Sequence, residues 1–263
     1  MQDATKELLA VYAGWSFYER LNNDQKILVK RISEYLARGV EGFIEDSSNI
    51  VSPEFSADFS NRLLLHHATN QDKFKKKAFE FAFCESCRAI GKAASINTDP
   101  TNPGADVTVD NVKFSLKTEA SASTNRKKIL ISKLMEAAWV RDCLTGEDFL
   151  RHVNSRIVTH LNKYERILVL RACDLAGGFV EYSLVEIPVS LLLRMSDLKP
   201  ESFSTRTAKG SSGAEVLIDG VAAFRLTLDG SVEKVTINRL LMSFCQIHAT
   251  WKVPTLSSSI DKI

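Results

Sequence analysis

Residues 102–120, NPGADVTVDNVKFSLKTEA, decide how this chain is read. Side-chain alternation around Asp110-Asn111 predicts two short antiparallel strands joined by a two-residue turn. One face of that hairpin is wholly apolar, with Val107, Val109, Val112, Phe114 and Leu116. The other carries Asp106, Thr108, Lys113, Ser115, Lys117 and Glu119, and the register sets Asp106 across from Ser115 and diagonal to Lys117. Acids, a hydroxyl and a lysine on one face suit phosphodiester hydrolysis, which needs an in-line water and positive charge against the developing negative charge. Carboxylate-bound magnesium supplies both, takes oxygen ligands and keeps several waters. A neighbouring lysine orients or deprotonates the water, or steadies the charged transition state.

Upstream, a helix is predicted over about residues 72–94, its middle AFEFAFCESCRAI apolar nearly all round, with Glu80 and Glu85 as intrusions. NTDPTNPG then breaks the chain. Downstream, ILIS (129–132) reads as a third strand running into KLMEAAWV (133–140) as a short helix. Thr145 and Asp148 form a capping box for the helix EDFLRHVNSRIVTHLNKY. RILVLRAC and VEYSLVEIPV read as buried strands. From residue 73 to 187 the order is therefore helix, three strands, helix, two strands. Residues from about 4 to 46 read as helical and the polar stretch 46–60 as a connection. The last part opens with a basic Gly/Ser loop, STRTAKGSSG. Strand-like segments follow, punctuated by Asp219-Gly220 and Asp229-Gly230 and bearing Arg225, Lys234, Arg239 and Lys252.

GAD, a strand, a turn and a strand ending SLK, set in that element order, resemble the PD-(D/E)XK nuclease superfamily, and within it the type II restriction endonucleases of bacteria. The resemblance implies an α/β (α+β) fold: a restriction-endonuclease-like core with a mixed central sheet flanked by helices. It further implies N-terminal helices packed on the core (1–70), a nuclease core (71–195) and a β-rich C-terminal segment of the same domain (196–263) that recognises DNA. Asp106 matches the family's metal-binding aspartate and Lys117 its lysine. Ser115 departs, because the family usually has an acid there. Family members with serine or threonine at that position take a glutamate from a following helix, which points to Glu136, while Glu119 competes by strand parity. Glu80 fits the acid that family members often add from the preceding helix. The implied activity is magnesium-dependent, sequence-specific cleavage of double-stranded DNA at a short palindromic site by a homodimer. A repair or recombination nuclease of the same superfamily, or a non-catalytic DNA-binding protein, is the alternative.

Other features bound the reading. At 263 residues, 44% hydrophobic and 25% charged, with net charge +2, the chain has the make-up of an ordinary globular protein whose overall field neither compels nor excludes nucleic-acid binding. No signal peptide or membrane-spanning stretch is read, so no membrane partner is expected, and five scattered cysteines suit the reducing cytoplasm. Cys84 and Cys87 form a lone CxxC that reads as two buried helix residues, and His66-His67 as a solvated helix end. The runs Lys73, Lys75, Lys76, Lys77 and Arg126, Lys127, Lys128 are candidates for phosphate contact. Arg206 and Lys209 in the Gly/Ser loop, with Arg225, Lys234 and Arg239 on the strands, are candidates for guanine edges.

Overall fold

The computed structural model describes residues 16–97 and 104–256. The sequence readings for residues 4–15 and for most of NTDPTNPG lie outside them. Helix α1 spans Asn23–Ala37. Among the described residues the strands form a seven-stranded mixed sheet, ordered β1 (Glu41–Ile44), β11 (Gln246–Pro254), β7 (Phe179–Ile187), β6 (Arg166–Leu175), β4 (Val112–Glu119), β3 (Val107–Val109) and β2 (Ala94–Ile96), and a four-stranded antiparallel sheet, ordered β5 (Lys128–Glu136), β10 (Lys234–Leu241), β9 (Val221–Asp229) and β8 (Ser212–Ile218).

The hairpin forms as its sequence dictates. β3 (Val107–Val109) and β4 (Val112–Glu119) pair Val107 with Phe114 and Val109 with Val112. Asp110 and Asn111 take φ of 48° and 68°, the doubly left-handed turn that suits Asp and Asn. Its apolar face buries Val107, Val109, Phe114 and Leu116 against helices α2 (Pro53–Thr69) and α3 (Lys76–Ala89) in one core. β6 (Arg166–Leu175) runs parallel to β4, and β7 (Phe179–Ile187) returns antiparallel to it. Leu168 and Leu170 of β6 face the helical core, whereas Ile167 and Val169 face a second core. That explains the unbroken apolar run: the strand is covered on both sides.

Helix α4 (Gly146–His152), capped by Thr145 and Asp148 as predicted, continues through a π-helical turn (Val153–Val158) into Thr159–Leu161. Together with β5 (Lys128–Glu136), β8 (Ser212–Ile218), β9 (Val221–Asp229) and β10 (Lys234–Leu241) it covers the second face of the central sheet. Asp219 and Gly220, both at positive φ, turn β8 into β9. β11 (Gln246–Pro254) crosses back to the central sheet, pairing with β7 on one side and β1 (Glu41–Ile44) on the other.

Several readings are corrected. The helix read over KLMEAAWV is confined to a 3₁₀ turn at Ala138–Asp142: β5 extends to Glu136, because pairing with β10 overrides the helix preference of Leu and Met. β5 also leaves the central sheet, and the strand beside β3 is instead β2 (Ala94–Ile96), which begins where the predicted helix was to end and was not read. Residues 41–44 form a strand because β11 offers them an edge. Within the supposed connection 46–60, Ser52 caps α2 and Pro53 occupies its first turn. His67 is not solvated, being fully buried with Nε2 2.8 Å from the Tyr182 hydroxyl. Cys84 and Cys87 are buried on α3, as read.

Candidate active site

β4 places Ser115, Lys117 and Glu119 on the face opposite its apolar one, and β3 is preceded by Asp106. Asp106 is held by its surroundings: Oδ2 accepts the Leu116 N–H at 2.7 Å and the Ser115 hydroxyl at 3.3 Å, and Oδ1 accepts Lys76 Nζ at 2.8 Å. Lys76, in the first turn of α3, also stands 3.3 Å from Oε1 of Glu80, one helical turn on. Glu80 is buried, and its Oε2 pairs with Lys77 at 2.9 Å. Asp106, Ser115 and Glu80 are thus gathered as the sequence implied, through a lysine assigned there only to phosphate contact.

Lys76, Asp106 and Ser115 line a cleft of about 560 Å³ between β4 and β5, with Glu80 buried behind Lys76. Lys117 and Thr118 form one wall, Ser132, Lys133 and Glu136 the other, and His160 and Tyr164 the end. Burial brings the Lys117 ammonium down to about 8, although Asp106 pulls the other way. Lys76 behaves oppositely: burial opposes its charge, but Asp106 and Glu80 outweigh it and hold its pKa above the usual lysine value. Burial, reinforced by Lys117, lowers His160 to about 4 and keeps it neutral, with a buried Nε2 that has no partner. The Tyr164 hydroxyl is buried beside Ser115, and burial, helped by Asp106, raises its pKa. His160 and Tyr164 escaped the sequence reading. Their signal was a spacing of four residues at the end of the helix that leads into β6.

Two other candidates are placed differently. Glu136 comes from a strand end and not a helix; it lies on the cleft rim, 73% exposed, and is paired with Lys133. Glu119 faces away from the cleft into a buried pair with Arg171 at 2.6 Å, and its other oxygen accepts the Leu130 N–H. Among the described residues no three His, Cys, Asp or Glu side chains converge. Two carboxylate oxygens do, however: Asp106 Oδ1 and Glu80 Oε1 approach one point, marked by the Lys76 ammonium, which lies 2.8 Å from the first and 3.3 Å from the buried second. An oxygen-only pair with room for water fits magnesium, which holds several waters in place of protein ligands.

The basic candidates divide. Lys127, Lys128 and Lys209 are exposed. Arg206 folds inward to the carbonyls of Cys143 and Arg141 at 2.8 and 3.1 Å. Arg225 and Arg239 lie on the outer face of the four-stranded sheet beside Glu215.

A family model described as SmaI, type II site-specific deoxyribonuclease, matches residues 16–253. The chain is 35% identical over 208 residues to the type II restriction enzyme SmaI of Serratia marcescens, an alignment covering 78% of this chain and 82% of that protein. No solved structure matches the chain.

Proposed function

The chain belongs to the SmaI family of type II site-specific deoxyribonucleases, and from that premise we propose that it hydrolyses DNA with magnesium in the cleft between β4 and β5. We further propose that it acts in the cytoplasm as a homodimer on a short palindromic site, since a two-fold enzyme presents the same surface to both half-sites. The observation that carries the catalytic assignment is the convergence of Asp106 and Glu80 beside Lys117.

Asp106 and Glu80 would hold the ion, with Glu136 contributing from the rim. When bound, magnesium supplies positive charge at the scissile phosphate and lowers the pKa of water. The remaining work falls to the chain. The Leu116 N–H and Ser115 hydroxyl hold Oδ2 and so fix the rotamer of Asp106, leaving Oδ1, which Lys76 holds at 2.8 Å, as the oxygen offered to the ion. Lys117, with its pKa near 8, holds the attacking water or takes its proton close to working pH. Lys133 and Ser132 on the opposite wall are placed to hold phosphate oxygens.

Plasmid digestion tests this. Wild-type protein with magnesium should give discrete fragments, and chelation should abolish them. Asp106→Asn and Lys117→Ala should each lose roughly 10³-fold in rate or more while retaining wild-type circular dichroism and duplex binding. Near-normal cleavage by Lys117→Ala would overturn the assignment.

A further inference from the structure

The outer face of the four-stranded sheet holds a polar row that catalysis does not use. Register sets Glu215 of β8 opposite Arg225 of β9, and Arg225 opposite Asn238 of β10. Arg225 Nη1 lies 3.1 Å from Glu215 Oε1, and Arg239 Nη1 lies 3.9 Å from the same oxygen. Asn238 Nδ2 donates to Thr227 Oγ1 at 2.8 Å.

Two backbone features aim these side chains. The β5–β10 register shifts between Ile237 and Leu240, and within that bulge Arg239 takes a φ of +53°. Bulges re-aim side chains, and left-handed backbone at a residue other than glycine persists only where its surroundings impose it. Arg239 is accordingly turned outward, 69% exposed. Beneath Arg225, Gly213 leaves room for the guanidinium: a Cβ there would stand 3.0 Å from Arg225 Nη2 and 2.7 Å from the Leu226 carbonyl oxygen.

Arg225, Thr227, Asn238 and Arg239 line a cleft of about 460 Å³ whose far wall includes Ser123 and Asn125. It adjoins the catalytic cleft, for β5 walls both, with Ile129 and Leu130 in this one and Ile131 to Leu134 in the other. From Leu130 to Lys133 along the strand is about 10 Å at ~3.3 Å per residue, roughly three base-pair steps of duplex. DNA seated with its phosphate at Lys117 and running along β5 would lay nearby base pairs over this row.

We propose that Arg225 and Arg239 read base edges in the major groove, and that Glu215 positions them and takes part in the reading; this rests on the endonuclease assignment above. A surface built only to hold phosphates would not set a carboxylate, Glu215, against its two arginines. Base edges suit the mixture. An arginine fork matches guanine N7 and O6, and a carboxylate accepts from the cytosine amino group, so Arg225 with Glu215 complements a G·C pair.

The test begins by sequencing fragment ends from a wild-type digest to map the cleaved site. Binding is then measured without divalent metal, on a duplex carrying that site, on the same duplex with single guanines replaced by 7-deazaguanine, and on an unrelated duplex. Arg239→Ala and Arg225→Ala should each lose roughly 10- to 100-fold on the mapped duplex and little on the unrelated one. Each should also become insensitive to one 7-deaza replacement that weakens wild-type binding. Glu215→Gln should bind the unrelated duplex several-fold tighter, narrowing discrimination. Equal losses on every duplex would make the arginines phosphate contacts and overturn the inference alone. A wild-type digest without discrete fragments would overturn the endonuclease assignment and the inference with it.

Discussion

Lys76 holds Asp106, its ammonium 2.8 Å from Oδ1, and reaches Glu80 Oε1 at 3.3 Å from the same nitrogen. A lysine therefore stands where the two carboxylates would grip an ion, and the two cations compete. Lys76→Met is expected to tighten manganese binding to DNA-free protein several-fold by calorimetry, and Glu80→Gln to weaken it. Weaker binding in Lys76→Met would place the ion elsewhere.

Glu119 and Glu136 should separate by stability. Glu119→Gln leaves Arg171 buried without its charge partner, which costs about 3–5 kcal/mol, or roughly 10 °C in a chain of this size. Glu136→Gln, exposed at the rim, should leave melting unchanged and reduce the rate of cleavage. Thermal melts with single-turnover digestion check both; a melting loss in Glu136→Gln would contradict its rim position.

Restoring the superfamily's usual acid should fail. Ser115 is buried between Asp106 and Tyr164, so Ser115→Glu forces a second carboxylate against the first in a closed space. A loss of about 2–4 kcal/mol in urea unfolding is expected, with no rescue of Glu136→Gln. Wild-type stability in Ser115→Glu would show that the pocket has room for it.

Acid should destabilise the fold in two stages. Burial, with His66 adding to it, lowers His67 to about 4, and burial lowers His160 likewise. The unfolded chain takes up these protons first, so stability present above pH 6.5 is lost as pH falls toward 4, by up to about 3 kcal/mol per histidine. Glu186 follows: burial raises its pKa, but the hydrogen bonds from His248 and Arg166 outweigh that and bring it to about 2, so its contribution disappears between about 4.5 and 2. Urea midpoints from pH 8 to 5 test the first stage, and a flat profile there would refute it. His67→Gln should flatten the slope.

The hairpin was legible because its information is local: alternation, an Asp-Asn turn and a two-residue register fix which groups face each other. β6 and β7 were legible for a similar reason, their apolar runs being long enough to need cover on both faces. KLMEAAWV was not legible, since its helix-forming residues become a strand only against β10, about a hundred residues later. The same distance hid Lys133 on the cleft wall. Lys76 was visible only as one charge in a run, and what singles it out is Asp106, thirty residues on.

β11 lies between β1 and β7 in the central sheet and brings Trp251 to the helical core, where its ring packs tilted against Phe59, centroids 4.9 Å apart, and donates to Ser56. During synthesis, then, the nascent chain cannot close this sheet until residue 254 has been made. Until then β1 has no partner, the edge of β7 is open, and the core beneath α2 lacks its largest side chain. Contacts so distant in sequence form late. A ribosome stalled short of β11 would carry a chain whose central sheet lacks the strand that joins β1 to β7.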